Sequence, residues 1–107
     1  MAIDEPGVVD AIGTVLDKGE VVLTISDHLE WDDPVHLPAL QAKLNRYLAF
    51  IESGEVFETY PTAKGKRLRI DIVCQYDPSP HGETFLTNAG EAITNAGFSL
   101  SWRILAA

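Results

Sequence analysis

The amino-acid sequence predicts an α+β fold: a two-layer sandwich in β-β-α-β-α-β order, with a mixed four-stranded sheet and two helices on one face. Three observations lead there. Residues 67–76, RLRIDIVCQY, and 98–105, FSLSWRIL, alternate apolar and polar side chains, the mark of strands with one covered and one wet face. Two stretches, 35–53 and 80–96, instead carry their apolar residues at steps of three and four, which line one side of a helix. Two amphipathic helices suffice to cover one face of a four-stranded sheet.

Each element has its own signals. DEPG at 4–7 reads as a turn-like leader, and VDAIGTVL at 9–16 as the first strand. DKGE at 17–20 supplies a glycine for a tight turn, and the β-branched VVLTIS at 21–26 forms the second strand of a hairpin. Leu37, Leu40, Leu44, Tyr47, Leu48 and Ile51 form the first helical stripe. It starts near Asp33–Pro34 or just before Pro38, because proline is tolerated in a first turn, and Gly54 ends it. EVFETYPTAKGK is open between a short helical turn and an extended approach to the next strand, and Pro61 and Gly65 break it either way.

In the third strand Leu68, Ile70, Ile72, Cys74 and Tyr76 share one face. Ser79 followed by Pro80 gives an N-cap and a first helical residue. Phe85, Leu86, Ala89, Ile93 and Ala96 form the second helical stripe, which Gly97 closes. In the fourth strand Phe98, Leu100, Trp102 and Ile104 share a face. The two strand-helix-strand steps are right-handed crossovers if their strands run parallel.

Length and charge narrow the function. A chain of 107 residues, 46% hydrophobic, suits one folded domain over 1–107. No apolar stretch reaches the length of a membrane span, and MAIDEPGVVD has no secretory n-region or h-region. With a single cysteine, Cys74, a cytoplasmic location fits best. A net charge of −8 repels a polyanion, which argues against nucleic acid. The charge is uneven. Residues 1–62 set three basic residues against twelve acids, whereas 63–107 set five against four, with Lys64, Lys66, Arg67 and Arg69 clustered around the third strand.

The densest group of chemically capable residues is TISDHLEWDD at 24–33. Asp27, His28, Glu30, Trp31 and Asp32 are the candidate binding residues, with His36 just beyond. If the second strand continues, Asp27, Leu29 and Trp31 fall on its core side, and His28 and Glu30 on the other. One histidine and one carboxylate do not make a metal site, so a third ligand from His36, His81 or Asp32 would be needed. A carboxylate at a strand end can serve a ligand crevice. It can also accept backbone N–H bonds at a helix start, which is the expectation for Asp27, with Trp31 as a lid over the same helix. His36 reads equally as a surface histidine at the helix start.

No HExxH, paired CxxC, GxSxG or phosphate loop is present. No catalytic residue, metal or cofactor is therefore assigned, and Cys74 reads as inert packing. On the open face, Arg67, Arg69 and Arg103 are the candidate interface residues, beside Asp71, Val73, Gln75, Val22, Thr24, Ser26, Ser99, Ser101 and Leu105. The face carries no stacking aromatics, which an RNA-binding sheet would show. It suits a protein partner or a second copy, or else a solvated surface held by Arg–Asp pairs.

VVLTISDHLEWDD, LNRYLAFIESGEVFETYP, the KG turn and the final GF strand together resemble a family of small bacterial proteins of unknown function. The likeness spans nearly the whole chain, and its most specific parts are D-x-L-x-W and FIESG. The resemblance implies a compact bacterial cytoplasmic domain and transfers no activity, ligand or site residue. Two functional expectations follow. One is a non-enzymatic interaction module that binds a protein partner or itself through the sheet face or an edge strand. The other is a metal-binding or hydrolase-like protein built on the Asp27–His36 cluster.

Overall fold

A computed structural model describes residues 11–15 and 18–105. The expected leader turn at 4–7 and both ends of the expected first strand lie outside them. Among the described residues the chain forms β1 (Ala11–Val15), β2 (Glu20–Asp27), α1 (His36–Glu52), α2 (Glu55–Thr59), a 3-10 turn (Pro61–Ala63), β3 (Arg67–Cys74), α3 (Pro80–Asn95) and β4 (Ser99–Ile104). The sheet order is β1-β2-β3-β4. β1 runs antiparallel to β2, while β2, β3 and β4 run parallel. This is the expected mixed sheet, and the open stretch after Gly54 resolves as a short helix and a 3-10 turn.

The hairpin turn needs a positive φ, and Gly19 supplies it at 58°. In β2, Val21, Leu23 and Ile25 are buried, and in β3, Leu68, Ile70, Ile72 and Cys74 join them on the same side. α1 covers that face with Leu40, Leu44, Tyr47, Phe50 and Ile51, and α3 with Leu86 and Ile93. The Tyr47 hydroxyl donates to the Thr24 carbonyl at 2.6 Å, which ties α1 to β2. Lys43 is also fully buried, with Nζ 5.8 Å from the Tyr47 ring centre.

α1 starts between the two expected positions. Asp33 N–H donates to the Glu30 carbonyl, and His36 N–H to the Asp33 carbonyl, so two tight turns lead into the helix. Pro38 then lies in the first turn, where its missing N–H leaves nothing unpaired. α3 starts as expected, with the Ser79 hydroxyl accepting from Gly82 N–H at 3.1 Å and Pro80 at the first position.

Two strand ends depart from the expected pattern. β3 stops at Cys74, so Tyr76 leaves the core face and is exposed. In β4, Trp102 and Ile104 pair in register with Ile72 and Cys74 on the helix side. They are nevertheless 40% and 42% exposed. Among the described residues β4 is the last strand of the sheet, so they pack its side chains from one flank only. Among the described residues no helix is long and apolar enough to cross a membrane.

Candidate functional site

β2 delivers Asp27 to the C-terminal edge of the parallel strands, and the turns after it return the chain so that His36 opens α1 alongside. Asp27 Oδ2 and His36 Nε2 lie 2.5 Å apart, with both side chains closed to solvent. The other carboxylate oxygen accepts from Leu29 N–H at 3.2 Å. The other ring nitrogen, Nδ1, lies 3.0 Å from the Glu30 carbonyl. A carbonyl can only accept, so Nδ1 carries a hydrogen, and a further hydrogen sits between Nε2 and Oδ2. Both nitrogens are thus engaged inside the protein.

The expectation that Asp27 caps α1 is corrected here. Val35 occupies the N-cap position with no side-chain hydrogen bond to the helix. Asp27 binds the side chain of the first helical residue instead. His36 is a buried strut and not a surface residue.

Trp31 closes the junction. Its indole N–H donates to the Tyr76 carbonyl at 3.0 Å, and its ring lies 4.1 Å from that of His36. On its other side it meets Gly82 in the first turn of α3. A Cβ there would come within 2.4 Å of the Trp31 ring. Trp31 is therefore a lid, as expected, but it bridges the starts of both α1 and α3.

The remaining candidates do not converge on this pair. His28 lies just past the end of β2, with Nδ1 enclosed and without a hydrogen-bond partner. It lines a pocket of about 280 Å³ with Ser26, Asp27, Val73, Gln75 and Leu105. Glu30 and Asp32 are exposed, and Glu30 contributes only its backbone carbonyl. Among the described residues no group of three or more His, Cys, Asp or Glu is placed to hold a metal ion. The Cys74 thiol is pushed up to about 12, first by burial and then by the carboxylates of Asp27 and Asp71, so it stays a protonated, poorly reactive thiol.

The arginines of the open face are paired within the fold. Arg69 Nε meets Glu20 at 3.1 Å, while its Nη1 lies 2.5 Å from Ser101 Oγ and 3.7 Å from Asp71. Ser101 donates to Asp71 at 2.8 Å, and Arg103 Nε to the second Asp71 oxygen at 3.1 Å. Arg67 Nη2 donates to the Lys18 carbonyl at 2.6 Å and so braces the hairpin. Alternation places Asp71 on the outward, wet face of β3. It is only 6% exposed, because three polar neighbours close over it.

An edge strand is expected as an interaction surface, but the sequence does not show that β4 is terminal among the described residues. Trp102 and Ile104, on one face of β4, are among the exposed large hydrophobic residues, as is Leu105 just beyond the strand. The alternation of β4 was visible in the sequence, but the strand order that leaves it uncovered was not.

A model for a family of unknown function, DUF6572, matches residues 1–106. No curated protein and no solved structure matches the chain.

Proposed function

We propose that this chain, which belongs to that family of unknown function, is a non-enzymatic protein-interaction module of the bacterial cytoplasm that engages its partner through the β4 edge. The observation that carries this reading is the exposure of the apolar residues Trp102 and Ile104 on the helix side of a terminal strand. A free edge offers a line of unpaired backbone groups, and apolar side chains beside it select what is added. The sheet face is a weaker surface than the edge, because Arg69 and Arg103 already hold Asp71 and Glu20. The acidic balance favours solubility, and the one cysteine suits a reducing compartment.

The test is a photo-crosslinking residue placed at Trp102 in the producing cell, with another at exposed Val35 as control. Adducts with protein at position 102 alone support the reading. Their absence at 102 overturns it.

A metal-binding or hydrolytic role has one observation on its side: Asp27 and His36 do meet. Their contacts are consumed internally, and His28, Glu30 and Asp32 lie elsewhere, so the pair reads as structural. Thermal unfolding of chelator-treated protein with added zinc, manganese or nickel checks this, since a ligand bound only to the folded state raises the midpoint. No shift is expected.

A further inference from the structure

We infer that the occupant of the β4 edge is a second copy of this chain, paired antiparallel about a two-fold axis through Trp102. This inference rests on the reading of the edge as an interaction surface and adds the identity of the partner.

The backbone sets the available registers. Leu105 N–H donates inward to the Cys74 carbonyl. Amide groups alternate along a strand, so Ser101 and Arg103 also face β3, and Leu100, Trp102 and Ile104 present theirs to the free edge. In an antiparallel pair the residues directly opposite share a face. A two-fold axis normal to the sheet must therefore pass through a residue, not between two.

An axis through Trp102 sets Trp102 opposite its own copy and Leu100 opposite Ile104 on the helix side. On the open face it sets Ser101 opposite Arg103. That register forms about six backbone hydrogen bonds and covers both exposed apolar side chains of β4's helix side. An axis through Ser101 leaves Ile104, 42% exposed, beyond the paired stretch. The Trp102 register also places no like charges directly opposite one another.

Charge supports the same choice. On a chain of net charge −8, β4 reads SLSWRI, with no acid and one arginine. It is a stretch on which two acidic copies can approach with little local repulsion.

A six-residue strand pair alone falls short of the ~1,000 Å² that a stable interface buries. The second layer is α3. Its side facing away from α1 forms, with Leu100, a shallow groove of about 500 Å³ lined by Thr87, Gly90, Glu91, Thr94 and Asn95. A two-fold axis normal to the sheet keeps both α3 helices on the same side, so these faces, small or polar and each with one acid, Glu91, approach above the Trp102 pair, where salt screens the two acids.

The experiment is sedimentation of the purified full chain over a concentration series at low and high salt. A monomer–dimer equilibrium is expected between about 1 μM and 1 mM, in the range of a modest interface. It should tighten as salt rises, since screening removes repulsion between acidic copies. Trp102→Lys and Ile104→Pro should each abolish the dimer, the latter by removing one outward amide at an edge where proline is tolerated. Far-ultraviolet circular dichroism and the unfolding midpoint at monomeric concentration report that each variant still folds. On oxidation, Trp102→Cys should cross-link across the axis, whereas Ser101→Cys should not. A chain that stays monomeric to about 1 mM, a dimer that survives both edge variants, or cross-linking through Ser101→Cys alone would overturn the inference. A monomer that nonetheless photo-crosslinks to another protein at position 102 removes the second copy and leaves the edge reading standing. No adduct at 102 removes both.

Discussion

Replacing Gly82 by alanine should destabilise the protein, although a helical glycine replaced by alanine ordinarily does the reverse. The alanine Cβ would sit 2.4, 2.8 and 2.9 Å from three atoms of the Trp31 ring. Carbon atoms pack at about 3.5–4.0 Å, so the ring must retreat by roughly 1 Å. It cannot retreat freely, because it rests on His36 and its N–H is held at 3.0 Å by the Tyr76 carbonyl. Overpacking of this kind costs about 1–3 kcal/mol, and the strained indole bond puts a further ~0.5–1.5 kcal/mol at stake. Against this, exchanging glycine for alanine in a helix returns about 0.5–1 kcal/mol.

The net is a loss of about 2 kcal/mol, which for a domain of this size lowers the midpoint by roughly 8–16 °C. Urea and thermal unfolding of Gly82→Ala measure it directly. In a Trp31→Leu background the same substitution should become neutral or stabilising, so a double-mutant cycle isolates the contact. A Gly82→Ala variant as stable as the parent chain, or more so, would refute the close packing of α3 against Trp31.

Three further outcomes follow from the same structure. His36→Leu should cost about 3–5 kcal/mol by stranding the buried Asp27 carboxylate. Asp27→Asn should cost clearly less, since its amide can still donate to Nε2; chemical unfolding of both variants ranks them. Cys74 should resist thiol reagents at pH 8 while folded and react promptly in denaturant. Its folded value lies above the unfolded one, so the stabilisation it brings is complete below about pH 9 and is lost as pH rises toward 12. Cys74→Ala should therefore show a shallower alkaline decline in unfolding free energy. Arg103→Ala should cost under about 1 kcal/mol, because an exposed ion pair is weak. Asp71→Ala should cost more, because it removes the acceptor that Ser101 and Arg103 share.

The sequence revealed what is local. The alternation of Leu68, Ile70 and Ile72, the Ser79–Pro80 start of α3 and the glycine stops at 54 and 97 depend on neighbours within a turn or two, and each could be read in order. The Asp27–His36 pair is different in kind. The partners stand nine positions apart, and whether they meet depends on how two consecutive turns fold between Glu30 and His36. Strand periodicity, extended past Asp27, places His28 and Asp27 on opposite faces, but β2 ends at Asp27 and both residues line one pocket. It gave no hint that the chain would turn back at once. The exposure of Trp102 and Ile104 has the same origin. Their face was legible from alternation, but the lack of a covering neighbour follows only from strand order, a property of the whole sheet.

The contact between Trp31 and Gly82 ties two positions in their freedom to vary across related chains. While position 31 holds the large indole, glycine is the residue that fits position 82 without strain. Once a smaller residue stands at 31, any side chain of moderate size can enter at 82 and refill the space. Across the family the two sites should therefore change together, tryptophan with glycine and a smaller partner with a larger one. Position 36 should follow position 31 more loosely, since its ring loses a stacking neighbour but keeps Asp27.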